Sequence, residues 1–103
     1  MKVIKMTRHT PEFFELLKDD PKKMHEPLRR HLEMLKKMKE DGKLVDAYFL
    51  PGDGRAVFVF DFENESEMDQ SLLFDPMGFT FDVEMHPAVP LFAHIENALK
   101  TME

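Results

Sequence analysis

Residues 56–62, Ala-Val-Phe-Val-Phe-Asp-Phe, constrain the fold more than any other stretch of this chain. Alternate side chains of a strand point to opposite faces, so Phe58, Phe60 and Phe62 share one side while Val57 and Val59 share the other. A strand that is apolar on both sides needs cover on both of its faces. Its neighbour is also legible. Leu44–Leu50 is a second β-type run, joined to the first by Pro51-Gly52-Asp53-Gly54-Arg55, a hairpin loop of five residues.

The remaining elements follow from periodicity and punctuation. Residues 3–7 read as a first strand ending at a turn, after which Thr10 can cap a helix and Pro11 can open it. Asp20-Pro21 is a second start signal, so a short helix leads into a longer one. Met24, Leu28, His31, Leu35 and Met38 recur at helical spacing, with Leu32 beside them, and Gly42 closes that pattern. Pro27 either kinks this helix or marks its true beginning, because it lacks an amide donor. Asn64 or Ser66 caps a third helix, with Glu67 or Asp69 three residues on, whose buried side is Met68, Leu72 and Leu73. From Phe79 to His86 apolar and polar residues alternate strictly, which predicts a fourth strand. Leu91, Ile95, Ala98, Leu99 and Met102 outline a terminal amphipathic helix.

The order β-α-β-β-α-β plus a final helix predicts an α+β chain, one ferredoxin-like domain over residues 1–103 with a four-stranded antiparallel sheet. Two helices then cover one face of that sheet, and the apolar residues of the other face lack cover. Wetting such a row is expensive, since each buried side chain of this kind is worth roughly 1.5–3 kcal/mol. Pairing of two copies through the sheet solves the problem, giving a homodimer or a higher homo-oligomer. The terminal helix folding back over its own sheet, or swapping onto a neighbour, are the alternatives.

Composition removes several function classes. The chain has no cysteine, so disulfides, thiolate metal sites and a cysteine nucleophile are excluded. Residues 1–43 hold twelve Lys/Arg against eight Asp/Glu, and residues 44–103 hold two against twelve, for a total of −6. That balance argues against a nucleic-acid partner, because phosphate neutralisation needs clustered excess cations. The start of the chain carries no long apolar segment and no stretch is long enough to cross a bilayer, so no membrane partner and a cytoplasmic location are expected. No nucleotide-binding loop or nucleophile elbow is present.

On the fourth strand Thr80, Asp82, Glu84 and His86 share a face. Two carboxylates and an imidazole so placed can serve proton transfer, since neighbouring like charges raise a carboxylate pKa. They are equally the wet side of an edge strand. A metal is not expected there, because same-face residues of one strand lie about 7 Å apart, too far to meet on one small ion. His31 interrupts the apolar stripe of the long helix and must find a hydrogen-bond partner, whether as a core-edge residue or as the lining of a cavity. Lys5 and Tyr48 are candidates to hold a substrate oxygen, with Asp82 as a further ligand contact. His9, His25 and His94 read as ordinary surface histidines. Nine methionines are spread over core-like positions and read as packing.

Several segments resemble the muconolactone isomerase family. These are Ile4-Lys5-Met6-Thr7, the end of the long helix from Leu35 to Gly42, Val59-Phe60-Asp61-Phe62 before a capped helix, the stretch from Phe74-Asp75-Pro76-Met77-Gly78 to Glu84, and His86-Pro87. The resemblance implies a dimeric α+β barrel and a proton shift beside a carbonyl, with no metal or organic cofactor. Such a step needs a base, a proton donor and groups that hold the enolate charge. His31, Glu84 and His86 are the expected base candidates, and Lys5 and Tyr48 the stabilisers. The chain departs from the family in extra residues between the first strand and the long helix, and in its terminal helix. The expected function is therefore a cofactor-independent isomerase of a small oxygenated metabolite. A non-catalytic oligomeric binding module is the alternative, and an oxygen-dependent monooxygenase-like barrel the third.

Overall fold

The computed structural model describes residues 1–103. Strand β1 (Lys2–His9) leads to helix α1 (Pro11–Asp19), a 3-10 turn at Pro21–Met24 and the long helix α2 (His25–Glu40). Then come β2 (Leu44–Leu50), β3 (Arg55–Asp61), α3 (Glu65–Leu73), a 3-10 turn at Gly78–Thr80, β4 (Phe81–Ala88) and α4 (Leu91–Thr101). The sheet order is β2-β3-β1-β4, with every neighbouring pair antiparallel. The protein is thus α+β, a four-stranded antiparallel sheet with four helices, of ferredoxin-like type. No helix is long and apolar enough to cross a membrane.

Local chemistry explains the boundaries. Pro27 sits in the first turn of α2, where its missing amide has no helical partner to lose, so it marks the beginning of that helix and not a kink. Gly42 takes a φ of 75°, which lets the Lys43 amide return to the Met38 carbonyl at 2.8 Å and ends α2. Of the two possible caps of α3, Asn64 is the one used, its side-chain oxygen accepting from the Glu67 amide at 2.9 Å. Thr10 precedes α1 with Pro11 at the first helical position, but its hydroxyl makes no capping bond.

The register sorts the sheet into two faces. Lys5 stands opposite Phe58 and Met85, Ile4 opposite Val59 and His86, and Met6 opposite Val57 and Glu84. On the first face Val3, Lys5, Thr7, Leu44, Phe58 and Phe60 are buried, and Leu35 and Met38 of α2 and Met68 of α3 pack against the apolar ones. Phe58, Phe60 and Phe62 form a stacked row there, with successive ring centroids 5.8 and 4.9 Å apart. A second cluster of Phe13, Met24 and Met77 closes the end of the sheet near Phe81. On the second face Ile4, Met6, Val57 and Val59 remain half-buried, flanked by the exposed Tyr48 and Leu50.

Helix α4 does not cover that second face. It has no buried residue, and Leu91, Phe92, Ile95, Leu99 and Met102 are all exposed. The molecule is 61 Å long, and its radius of gyration is 16.6 Å where a compact chain of this size has about 13 Å. The reading in which α4 folds back over its own sheet is therefore corrected: the helix is held away from the body.

Three further expectations change. The fourth strand begins at Phe81 and not Phe79, because Gly78–Thr80 winds into a 3-10 turn held by the Thr80 amide and hydroxyl on the Met77 carbonyl at 2.9 and 2.7 Å. Phe79 is exposed and Thr80 buried, so Thr80 leaves the polar face on which Asp82, Glu84 and His86 remain. In α2 Leu28 and Leu32 are half exposed, and in α3 Leu73 is exposed, because each helix lays only one edge of its apolar stripe onto the sheet.

Candidate functional site

The helix-covered face contains a lysine, which a purely structural layer would not choose. Lys5 Nζ lies 3.6 Å from Asp75 Oδ2, with side chains only 4% and 2% exposed. Its ammonium also sits over the rings of Phe58 and Phe60, 5.4 and 5.9 Å from their centroids. Burial lowers the Lys5 pKa, and the negative charge of Asp75 offsets part of that effect.

Asp75 sits in the turn after α3 and serves several partners at once. Its Oδ1 accepts from His31 Nδ1 at 2.7 Å and from the Met77 amide at 2.9 Å, while Oδ2 faces Lys5. Burial works to raise the Asp75 pKa, but the two hydrogen bonds and the charges around it win, and the carboxyl is held below its ordinary range. An ionised carboxylate only accepts, so His31 Nδ1 carries the hydrogen and a neutral ring keeps Nε2 free as an acceptor.

His31 lines a cavity of about 130 Å³ between α2 and the sheet, together with Thr7, His9, Leu28, Phe49, Ala56, Phe58 and Phe81. His9 is the second imidazole in this wall. Its ring stacks on Phe13 at 3.8 Å and leans on Phe81 at 4.9 Å, and its Nδ1 is buried without a partner. Burial lowers the His9 pKa, the Thr80 carbonyl beside it opposes that, and His31 pushes in the same direction as burial. His9 is accordingly a neutral donor-acceptor at neutral pH, and Asp75 fixes the tautomer of His31.

The residues expected to act together are split between the two faces. His31 reaches the cavity, and Lys5 lies behind it on Asp75 without lining the cavity itself. Asp82, Glu84 and His86 stand on the opposite face. There Asp82 and Glu84 border a shallow groove with Met6, Arg8 and Arg55, while His86 Nε2 comes within 3.7 Å of Glu84. Tyr48 is exposed on the outer strand β2, where its hydroxyl donates to Asp46 Oδ2 at 2.6 Å. No three His, Asp or Glu side chains converge as a metal ion would need.

Two residues of this site escape sequence reasoning. Asp75 reads as a turn former in Asp-Pro-Met-Gly, and His9 as a surface histidine after a strand. One signal for His9 is its place at an inward β1 position, in step with Val3, Lys5 and Thr7. Compared with known proteins, the chain matches no protein-family model and no curated protein.

Proposed function

We propose that this chain is a cofactor-independent isomerase that moves a proton on a small oxygenated metabolite in the cavity beneath α2, in the manner of the muconolactone isomerases it resembles. The observation that carries the reading is the buried Asp75–His31 hydrogen bond at 2.7 Å on the wall of a cavity. A carboxylate that orients an imidazole makes its far nitrogen a positioned base. His31 Nε2 takes a proton from the carbon beside a carbonyl, and the imidazolium so formed is stabilised by Asp75. The His9 ring and the Thr7 hydroxyl face the same space and supply hydrogen bonds to the enolate oxygen. The proton returns at a different carbon, which completes an isomerisation without net redox change. Glu84, His86, Tyr48 and Asp82 play no part in this step.

The same proposal includes self-association through the open sheet face, in the form of a dimeric α+β barrel. The half-buried block Ile4, Met6, Val57 and Val59 and the exposed apolar side of α4 support it, since both are surfaces that a second copy would dry. The activity is tested by deuterium wash-in from heavy water into enolisable carbonyl compounds, uncharged cyclic enones and lactones among them, followed by NMR. Exchange that His31→Gln abolishes supports the reading. Exchange unaffected by His31→Gln and lost in Glu84→Gln would move the chemistry to the other face. Association is tested by sedimentation of Val59→Asp, which is expected to lower the mass of the particle while the parent chain sediments as a dimer or larger.

A further inference from the structure

The walls of the cavity also define the class of molecule it accepts, an inference that rests on the proposed use of His31 and His9. A closed apolar cavity of about 150 Å³ holds one benzene ring. At about 130 Å³ this cavity is slightly smaller, which limits it to a single ring of five or six atoms with its carbonyl oxygen at most. Phe49, Phe58 and Phe81 provide flat apolar surface, and Leu28 and Ala56 complete the greasy lining. Polar side chains come only from Thr7, His9 and His31.

Charge is the deciding feature. No Lys, Arg, Asp or Glu borders the cavity. The one ammonium in this layer, Lys5, is committed to Asp75, and His9 is kept neutral by burial at neutral pH. A carboxylate brought into this space would lose its hydration and meet no lysine or arginine, a cost that an uncharged carbonyl avoids. We infer that the cavity binds an uncharged monocyclic carbonyl compound, a cyclic enone or lactone without a carboxylate, whose oxygen points at the His9 and His31 rings.

The way in lies between the hairpin and α2. Leu28 and Phe49 both border the cavity, and both are more than half exposed, so they stand at its mouth beside Gly54.

Binding is measured separately from turnover, by following the ring protons of His9 and His31 in an NMR titration of the full chain. The probes are cyclohex-2-en-1-one, cyclohexanecarboxylate of similar size, and the two-ring ketone β-tetralone. The enone is expected to shift both histidine rings saturably, with the carboxylate at least ten-fold weaker and the two-ring ketone causing no saturable shift. Ala56→Leu, which narrows the cavity, and Leu28→Trp, which blocks the mouth from an exposed position, are each expected to weaken the enone at least ten-fold. Leu28→Trp keeps the test meaningful if Ala56→Leu fails to fold. Equal or tighter binding of the carboxylate overturns the inference while leaving proton transfer standing. Enone binding without deuterium wash-in at its acidic carbon supports the inference and removes the isomerase reading. Absence of any saturable shift with the enone overturns the inference outright.

Discussion

Replacing Asp75 by Asn isolates one interaction in the centre of this protein. The amide oxygen can occupy the place of Oδ1 and still accept from His31 Nδ1 and the Met77 amide, so both hydrogen bonds survive. The amide nitrogen then stands where Oδ2 was, a donor pointed at the Lys5 ammonium 3.6 Å away. Lys5 is left almost fully buried with no anion, supported only by the faces of Phe58 and Phe60. Removing one partner of a buried ion pair costs about 3–5 kcal/mol. With a urea m-value of about 2 kcal/mol/M for a chain of this size, the midpoint of unfolding should fall by about 2 M at fixed protein concentration. Adding Lys5→Met to Asp75→Asn removes the stranded charge and should restore about 2 kcal/mol or more, a coupling within the range measured for groups in contact. The reasoning fails if Asp75→Asn alone lies within about 1 kcal/mol of the parent, or if the two substitutions simply add.

Stability should depend on pH in a way that follows from the same groups. The depressed Asp75 value means its contribution is complete above about pH 4, the ordinary carboxylate range, and is lost as pH falls through the lower folded value. His9 is also depressed, so the unfolded chain binds its proton first and stability should decline as pH drops below about 6.5; urea midpoints for the parent and His9→Gln between pH 5 and 8 check this, the variant showing the flatter curve. Lys5 is depressed as well, so stability should rise with pH just below about 10.4, a gain absent from Lys5→Met. Phe60→Ala should cost about 3–5 kcal/mol in the same denaturation assay, because the ring is 1% exposed and stacked between Phe58 and Phe62. A loss under about 1 kcal/mol would mean that the aromatic row is not the core.

Much of the architecture is written in local pattern. The two-faced run around Phe58 and Phe60, the Pro-Gly-Asp-Gly loop, the cap at Asn64 and the stop at Gly42 each act through a few neighbouring residues, and they place the elements nearly where they lie. The start of β4 was not legible, because the alternation from Phe79 continues through a turn whose winding depends on Thr80 reaching Met77 and Thr10. Period alone cannot tell a strand from the turn before it when tertiary hydrogen bonds choose between them.

The sequence by itself determined that His31 lies in the apolar stripe of the long helix, turned toward the sheet, and that Glu84 and His86 belong to a polar row along one strand. It could not say that these two groups lie on opposite sides of one sheet. That follows from register, because β4 pairs with β1 so that Met85 lies beside Lys5 while Glu84 and His86 lie beside Met6 and Ile4. Nor could it join Asp75 to His31, forty-four positions away, or set His9 beside them. Helix spacing and strand alternation are local properties of the chain, whereas a buried hydrogen bond and the cavity it borders exist only once distant segments have packed and excluded water.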